Sequence, residues 1–338
     1  MKENQKIMGY NKSKGFEYIS LHLKKYNLMM KKFISKDYNF FHKIWIFIDF
    51  VGCILKYGVG INDYFQYNFY KRKAIDRASF IVARNRRKII KECNGSVKHP
   101  DFDNKGHFNK IFSEYLARDW IDTDDCTFEE FETFVLNHNI FMSKVKEESG
   151  GNGILLHYSN TEYGKDNFAD FKKRHLVLEE VIDQHPEMSK FNPESVNTLR
   201  LITLVTPKGI EVMNAVFRCG NGEGCTDNFH HLGLASLIDI ESGIIVTSAI
   251  NKLNQKFYIH PRTREQIIGF RIPYWNKIIQ TVKKAAMVRP DIRFVGWDMA
   301  ILRDGRIAII EGNCSADPDI IQMPDQIGKW PMYRDKIW

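Results

Sequence analysis

Residues 294–313 read FVGWDMAILRDGRIAIIEGN. Two apolar runs flank Asp304-Gly305, a dipeptide that fits the two central residues of a type I′ turn. Such a turn pairs Arg303 with Arg306 and, counting outward in step, Asp298 with Glu311. Residues directly opposite in an antiparallel pair hold their Cβ atoms about 5 Å apart on one face. Asn313, two positions past Glu311, shares that face. Nearly every other position of the hairpin is apolar, so the two carboxylates sit on a sheet with little exposed surface. They repel each other and resist loss of water. A shared proton, an arginine such as Arg200 or Arg218, or a divalent cation has to offset that cost. Oxygen-only ligands of this kind suit Mg²⁺ bound with nucleotide phosphates. A plain salt bridge to arginine is the competing reading.

A second hairpin lies upstream. Residues 140–154 read IFMSKVKEESGGNGI: a strand ends in Lys144, glycines follow, and an apolar strand begins. Gly150, Gly151 and Gly153 let the backbone bend so that N–H groups face an anion. Lys144 and Lys146 leave the strand on one side, which places ammonium groups toward phosphates. The stretch lacks Gly-Lys-Ser/Thr and joins two strands, so it is not a Walker loop. By itself it is equally an ordinary glycine turn.

Further strands are expected at 176–182, 197–206, 211–218 and 244–249, with a helix at 273–287 before the last hairpin. Pro207-Lys208-Gly209 joins two of them. Helices are expected at 74–93, ending near Asn94-Gly95, and at 108–120, and Thr127 with Glu130 forms a capping box for another. The fold class is α+β with antiparallel sheets, not a doubly wound parallel fold. The expected domains are a basic, aromatic-rich helical region over 1–95, a small lobe with the glycine loop over 96–182, and a large lobe with the carboxylate hairpin over 183–338.

The 338 residues are 43% hydrophobic and 27% charged, a globular balance, and 22 Gly with 10 Pro exclude collagen-like or low-complexity sequence. Six Cys without finger spacing read as reduced thiols of a cytoplasmic protein. Cys219 and Cys225 show no base partner, which argues against thiol catalysis. The polar start carries no signal peptide. Charge is regional: residues 1–90 hold 19 Lys/Arg against 6 Asp/Glu, and the remainder 30 against 35. A solvated basic face is the plain reading. Attraction to nucleotide phosphates, a pyrophosphate-linked lipid or an anionic membrane surface is the sharper one. No RNA-reading motif organises the aromatics, so nucleic acid is not an expected partner. The stretch 44–55, IWIFIDFVGCIL, falls short of the roughly 20 residues a spanning helix needs. It reads as a buried core helix, with a segment lying along a membrane surface as the alternative.

Together the two hairpins resemble the ATP-grasp superfamily. Lys144 through Ile154 is similar to its lysine and flexible glycine loop, and Asp298 with Glu311-Gly312-Asn313 is similar to its two-strand metal signature. Arg118-Asp119-Trp120, Glu180 through His185, Asn197-Thr198-Leu199-Arg200, Thr226 through His230, Ile272 through Trp275, Gly296-Trp297-Asp298 and Gln322-Met323-Pro324 resemble its sugar-transfer-associated branch. The resemblance spans about 105–325; Val145 departs from it where the family often has Pro. It implies two lobes closing on ATP and Mg²⁺. It implies Lys144 on the phosphates, with Lys146, Gly150, Gly151 and Gly153 folding over them, and Lys105 (or its rival Lys110) as a further phosphate lysine. It implies Glu179, Glu180 and Val181 on the adenine, with Asp183 or Glu187 on the ribose. Asp298, Glu311 and Asn313 would hold Mg²⁺, and Arg200 and Arg218 would meet the transferred phosphate or the acyl substrate. Asn197, Asp227, Asn228 and His230 are substrate candidates. The implied activity is ligation of a carboxylate to an amine through an acyl phosphate, on a sugar acid or amino acid of a surface polysaccharide. A sugar phosphotransferase and a non-catalytic nucleotide-binding scaffold are the alternatives. Peripheral contact with membrane or lipid-linked sugar through the basic N-terminal region is a further expectation, and the sequence leaves the oligomeric state open.

Overall fold

A computed structural model describes residues 16–34, 38–148, 153–159, 163–222, 229 and 232–338. The chain divides into two compact units, Met1–Arg86 with Gln326–Pro331, and Arg87–Asp325 with Met332–Trp338.

The first unit is helical. Helix α1 spans Phe16–Phe33 and α2 spans Phe40–Tyr57. The Asn39 side chain caps α2 by accepting the His42 N–H, and Gly58 ends it in the left-handed conformation. Its core is aromatic: Tyr26, Phe50, Tyr64, Phe65, Phe69 and Phe80 are buried, with Tyr26 stacked on Phe50. Asp49 is held by Arg77 at 2.7 Å and by the Tyr64 hydroxyl at 2.7 Å. The late segment 326–331 returns here, where Asn68 donates to Gln326 and Trp330 N–H to the Ser79 carbonyl.

The helix expected over 74–93 is two. Ala74–Ala78 stops, and α3 runs Ala83–Asn94. Phe80, Ile81 and Val82 are all buried. Three consecutive buried side chains do not fit one face of a helix, so the chain breaks between them. The stretch 44–55 is not a core helix either: α2 buries only Ile46, Phe50 and Cys53.

The second unit carries both sheets. Helix α4 spans Lys105–Ile111 and a 3-10 turn covers Ser113–Tyr115 where a longer helix was expected. The smaller sheet has strands β1 Trp120–Asp122, β2 Ile140–Val145, β3 Ile154–Tyr158 and β4 Leu176–Glu180 in the order β1-β4-β2-β3. Helices α5 Phe128–Asn137 and α6 Lys165–Lys173 accompany it; the α5 capping box of Thr127 and Glu130 forms as expected. The expected patterns had not included α6 or β1.

The larger sheet has β5 Thr198–Thr206, β6 Gly209–Cys219, β7 Leu234–Ile238, β8 Ala249–Ile250, β9 Lys256–Phe257, β10 Phe294–Ile301 and β11 Ile307–Asn313. Their order is β11-β10-β5-β6-β7-β8-β9, and the named pairs are antiparallel. Of the strand expected at 244–249, Ile244 and Ile245 make only isolated bridges. Helix α7 Trp275–Ala286 packs its apolar side into the main core with Trp297, Val295 and Met299.

The decisive hairpin differs from its expected turn and keeps its expected pair. Leu302 N–H donates to Arg306 and Gly305 N–H to Leu302, which makes a three-residue loop with Gly305 at φ 78°. Ile301 therefore faces Ile307, one position out of the expected step. A bulge between Asp298 and Met299 inserts one extra residue on β11 and restores it. Asp298 then faces Glu311, and Gly296 faces Asn313.

Candidate active site

The site is built on a cross-strand row. Glu311 on β11 faces Asp298 on β10, which faces Arg200 on β5. The Arg200 guanidinium grips Asp298 through Nε and through Nη2, the latter at 2.7 Å. Arg218 on β6 adds Nη1 at 2.9 Å. Burial opposes charge on Asp298, but Arg200 and Arg218 outweigh it and hold the carboxyl well below the usual carboxylate range. Glu311 has the opposite fate. Burial and the facing Asp298 charge outweigh the arginines and push it up to about 7. Its side chain is exposed to solvent and open to an incoming cation.

The smaller sheet supplies the next layer. Lys144, at the end of β2, is buried and donates to Glu179 Oε2 on β4 at 2.6 Å. Arg118 donates to the same oxygen at 2.8 Å, and Asn109 of α4 to Oε1 at 3.0 Å. Burial would raise Glu179, yet Arg118 and Lys144 hold it well below the carboxylate range. Arg118 also donates to the carbonyls of Leu116 and Ile309, the latter at 2.8 Å. One guanidinium thus ties Glu179 of β4 to β11, just before Glu311.

Half-buried Lys105 opens α4 and donates to the carbonyls of Val145, at 2.9 Å, and Glu148. Burial lowers its pKa, the neighbouring Lys144 adds to that, and Glu311 and Glu179 work against it. The structure therefore gathers Lys105, Lys144, Glu179, Glu311, Asp298, Arg200 and Arg218. Lys110, the rival to Lys105, pairs with Asp125 on the surface at 2.5 Å.

Other sequence candidates fall elsewhere or serve the scaffold. Lys146 pairs with Asp122 at 2.6 Å and Asp124 at 2.5 Å. Gly153 sits at φ 68°, where a Cβ would strike Val145, so the loop needs glycine there. Glu180 alternates away from Glu179 and accepts the Asp119 N–H at 3.0 Å. Val181 is half-buried, just past β4, and Asp183 is exposed and pairs with Arg303 at 2.5 Å. Glu187 pairs with Lys190. Asn197 is buried in the loop joining the sheets, where its N–H donates to Gln184 at 3.0 Å. Gly150, Gly151, Asp227, Asn228 and His230 lie outside the described residues. Arg118 and Asn109 received no role from the sequence, although Arg118-Asp119-Trp120 was among the stretches that resemble the family.

The donor set at β10–β11 is of the kind Mg²⁺ takes, although the competing arginine pairing is the one Asp298 makes here, with guanidinium groups on both its oxygens. Two carboxylates and an amide oxygen are hard ligands, and Glu311 carries a charge that its surroundings resist. The Asn313 oxygen already accepts the Ser315 N–H at 2.9 Å, which orients it.

A family profile described as sugar-transfer associated ATP-grasp matches residues 84–334. Among solved structures, the ATP-grasp ligase PsnB, complexed with minimal precursor, Mg and ADP, is 12% identical with a TM-score of 0.43, covering 70% of this chain and 58% of that one. An ADP complex of N5-carboxyaminoimidazole ribonucleotide synthetase is 12% identical with a TM-score of 0.39, covering 64% and 46%. The enzyme of that name from Thermotoga maritima is 10% identical with a TM-score of 0.36, covering 63% and 41%. The chain spans less than two thirds of each of these proteins. A search of curated proteins finds no match.

Proposed function

This chain belongs to the sugar-transfer associated ATP-grasp family, and from that premise we propose that it is an ATP-dependent ligase joining a carboxylate to an amine through an acyl phosphate. One observation carries the reading: Arg200 and Arg218 hold Asp298, which faces Glu311, and Lys105 feels the charges of both Glu311 and Lys144, so four cationic side chains belong to one connected cluster. Phosphoryl transfer needs such an array, because catalysis there is mainly positioning and charge neutralisation.

In this reading Lys105 and Lys144 neutralise the triphosphate. Glu179, Arg118 and Asn109 fix the Lys144 ammonium, so little reorganisation is needed when substrate binds. Asp298, Glu311 and Asn313 would hold Mg²⁺, which supplies charge neutralisation on the phosphate oxygens. An oxygen of the substrate carboxylate attacks the γ-phosphorus, the bond from that phosphorus to the β-bridging oxygen breaks, and ADP leaves. Arg200 and Arg218 compensate charge on the moving group. The amine then attacks the acyl carbon, its C–O bond to phosphate breaks, phosphate leaves, and the nitrogen gives up a proton to solvent. The glycine loop after Lys144 would keep water off the acyl phosphate. The substrates we propose are a sugar acid or amino acid and an amine of a surface polysaccharide, handled in the cytoplasm.

The test is phosphate and ADP release by the full chain with ATP and Mg²⁺, screened over uronic-acid sugar nucleotides and amino acids. Release of phosphate only when acid and amine are both present is the expected result. ADP formation with a hydroxyl compound alone makes the enzyme a kinase. Glu311→Gln and Lys144→Met should each lower ADP release by about 10²–10³-fold; unchanged turnover in Glu311→Gln would remove the site.

A further inference from the structure

Helix α2 turns an apolar face to solvent. Its buried side, Ile46, Phe50 and Cys53, packs on the first unit's core. On the opposite side Phe41, Ile44, Ile48, Val51 and Leu55 follow one another at helical spacing. Phe41 is 77% exposed, Ile48 63% and Leu55 75%. Trp45 and Phe40, both exposed, flank this stripe. The charges of the helix avoid it. Asp49 is turned inward to Arg77, and Lys43 and Lys56 stand near the two ends, one on each flank by their helical positions. Burying one side of a helix normally leaves its other side polar; here both sides are apolar, so the outer one needs an apolar neighbour.

The charge around the stripe decides among neighbours. Residues 1–90 carry 19 basic against 6 acidic side chains. The acids are partly consumed inside: Asp49 by Arg77 and Tyr64, Asp63 by the N–H groups of Gly60 and Ala83. Lys24, Lys31, Lys32, Lys43 and Lys56 remain at the surface. Two copies meeting through this face would bring like charge together. An anionic bilayer offers an apolar layer for the stripe and phosphate headgroups for the lysines, and Trp and Phe suit its boundary. Among the described residues no helix is long and apolar enough to cross a membrane, so α2 would lie along the surface. We propose that the outward face of α2 docks the protein on an anionic lipid surface, with the apolar stripe at the headgroup boundary and Lys43 and Lys56 on the headgroups. This rests on the first unit alone, so its failure would leave the ligase reading standing.

Flotation of the full chain with vesicles tests it. The probes are phosphatidylcholine vesicles and the same vesicles containing about 30% phosphatidylglycerol, a fraction sufficient for a negative surface potential. The wild type is expected to float with the anionic vesicles only, less so in high salt. The Ile48→Asp/Leu55→Asp pair should lower the floating fraction about tenfold or more, since it puts charge into the apolar layer. The Lys43→Glu/Lys56→Glu pair leaves the apolar stripe untouched and should also weaken binding; it keeps the test decidable if the first pair fails to fold. Wild-type protein that stays unbound overturns the proposal. So do folded variants of both pairs that float like wild type, and so does a wild-type dimer that Ile48→Asp/Leu55→Asp separates while no vesicle binding is seen.

Discussion

Glu179 and Glu311 are both acidic side chains of the second unit's sheets, and the fold treats them in opposite ways. Glu179 is completed: Arg118, Lys144 and Asn109 occupy its two oxygens, and its pKa falls despite burial. Glu311 is left incomplete: the nearest carboxylate is Asp298, which has drawn both arginines, and its pKa rises to about 7. A satisfied buried charge is part of the scaffold. A carboxylate whose surroundings oppose its charge, as at Glu311, is where an added cation finds the most to gain. The contrast separates the group that positions Lys144 from the group that waits for a ligand.

The strongest way to break that contrast is Glu179→Gln. It strands Arg118 and Lys144 as buried cations, and removing one partner of a buried pair typically costs about 3–5 kcal/mol; thermal or urea unfolding measures it. The pH dependence should change too. The folded pKa of Glu179 is depressed, so its contribution is present above the unfolded carboxylate value of about 4.3 and fades as pH falls toward the lower folded value. Melting curves over pH should show that acid loss in the wild type and a weaker one in the variant. A variant as stable as wild type would mean that Glu179 is not the anchor.

A smaller effect is expected at Asn109→Ala. One hydrogen bond to a buried carboxylate is lost, for about 1.5–3 kcal/mol, and ADP release should weaken only modestly because Lys144 keeps both Glu179 and its place. A complete loss of turnover with unchanged melting would move Asn109 from the scaffold to the substrate.

The smallest stability effect belongs to Glu311→Gln. Because the folded site raises this carboxyl, its ionisation opposes folding as pH climbs from the unfolded value through about 7. The variant should unfold no more readily than wild type at neutral pH, and it should lose that downward slope. If Asp298 and Glu311 hold Mg²⁺ as proposed, Mg²⁺ with ATP should raise the melting temperature of the wild type and not of the variant. A large destabilisation would place Glu311 in the same class as Glu179.

Much of this was legible in the chain itself, for a physical reason. Strand alternation has period two, so Asp298, Glu311 and Asn313 were bound to one face of their strands. Even a wrong turn type left the pair intact, because the bulge beside Asp298 returned the register that the longer loop had shifted. The Thr127 capping box and the strand ending at Lys144 are equally local. Partners from distant segments are a different matter. Arg200 and Arg218 stand 98 and 80 positions before Asp298 in the chain, and only the neighbouring of β5, β6 and β10 aimed both at one carboxylate. The resemblance set Glu179 only on the strand beside the adenine, and Arg118, Asn109 and Lys144 made its side chain an anchor. The outer side of α2 was apolar in the sequence, which could not say that the first unit's core would cover only the inner side. Local hydrogen bonding sets which residues share a face; which faces are covered, and by what charge, is settled by elements far apart in the chain.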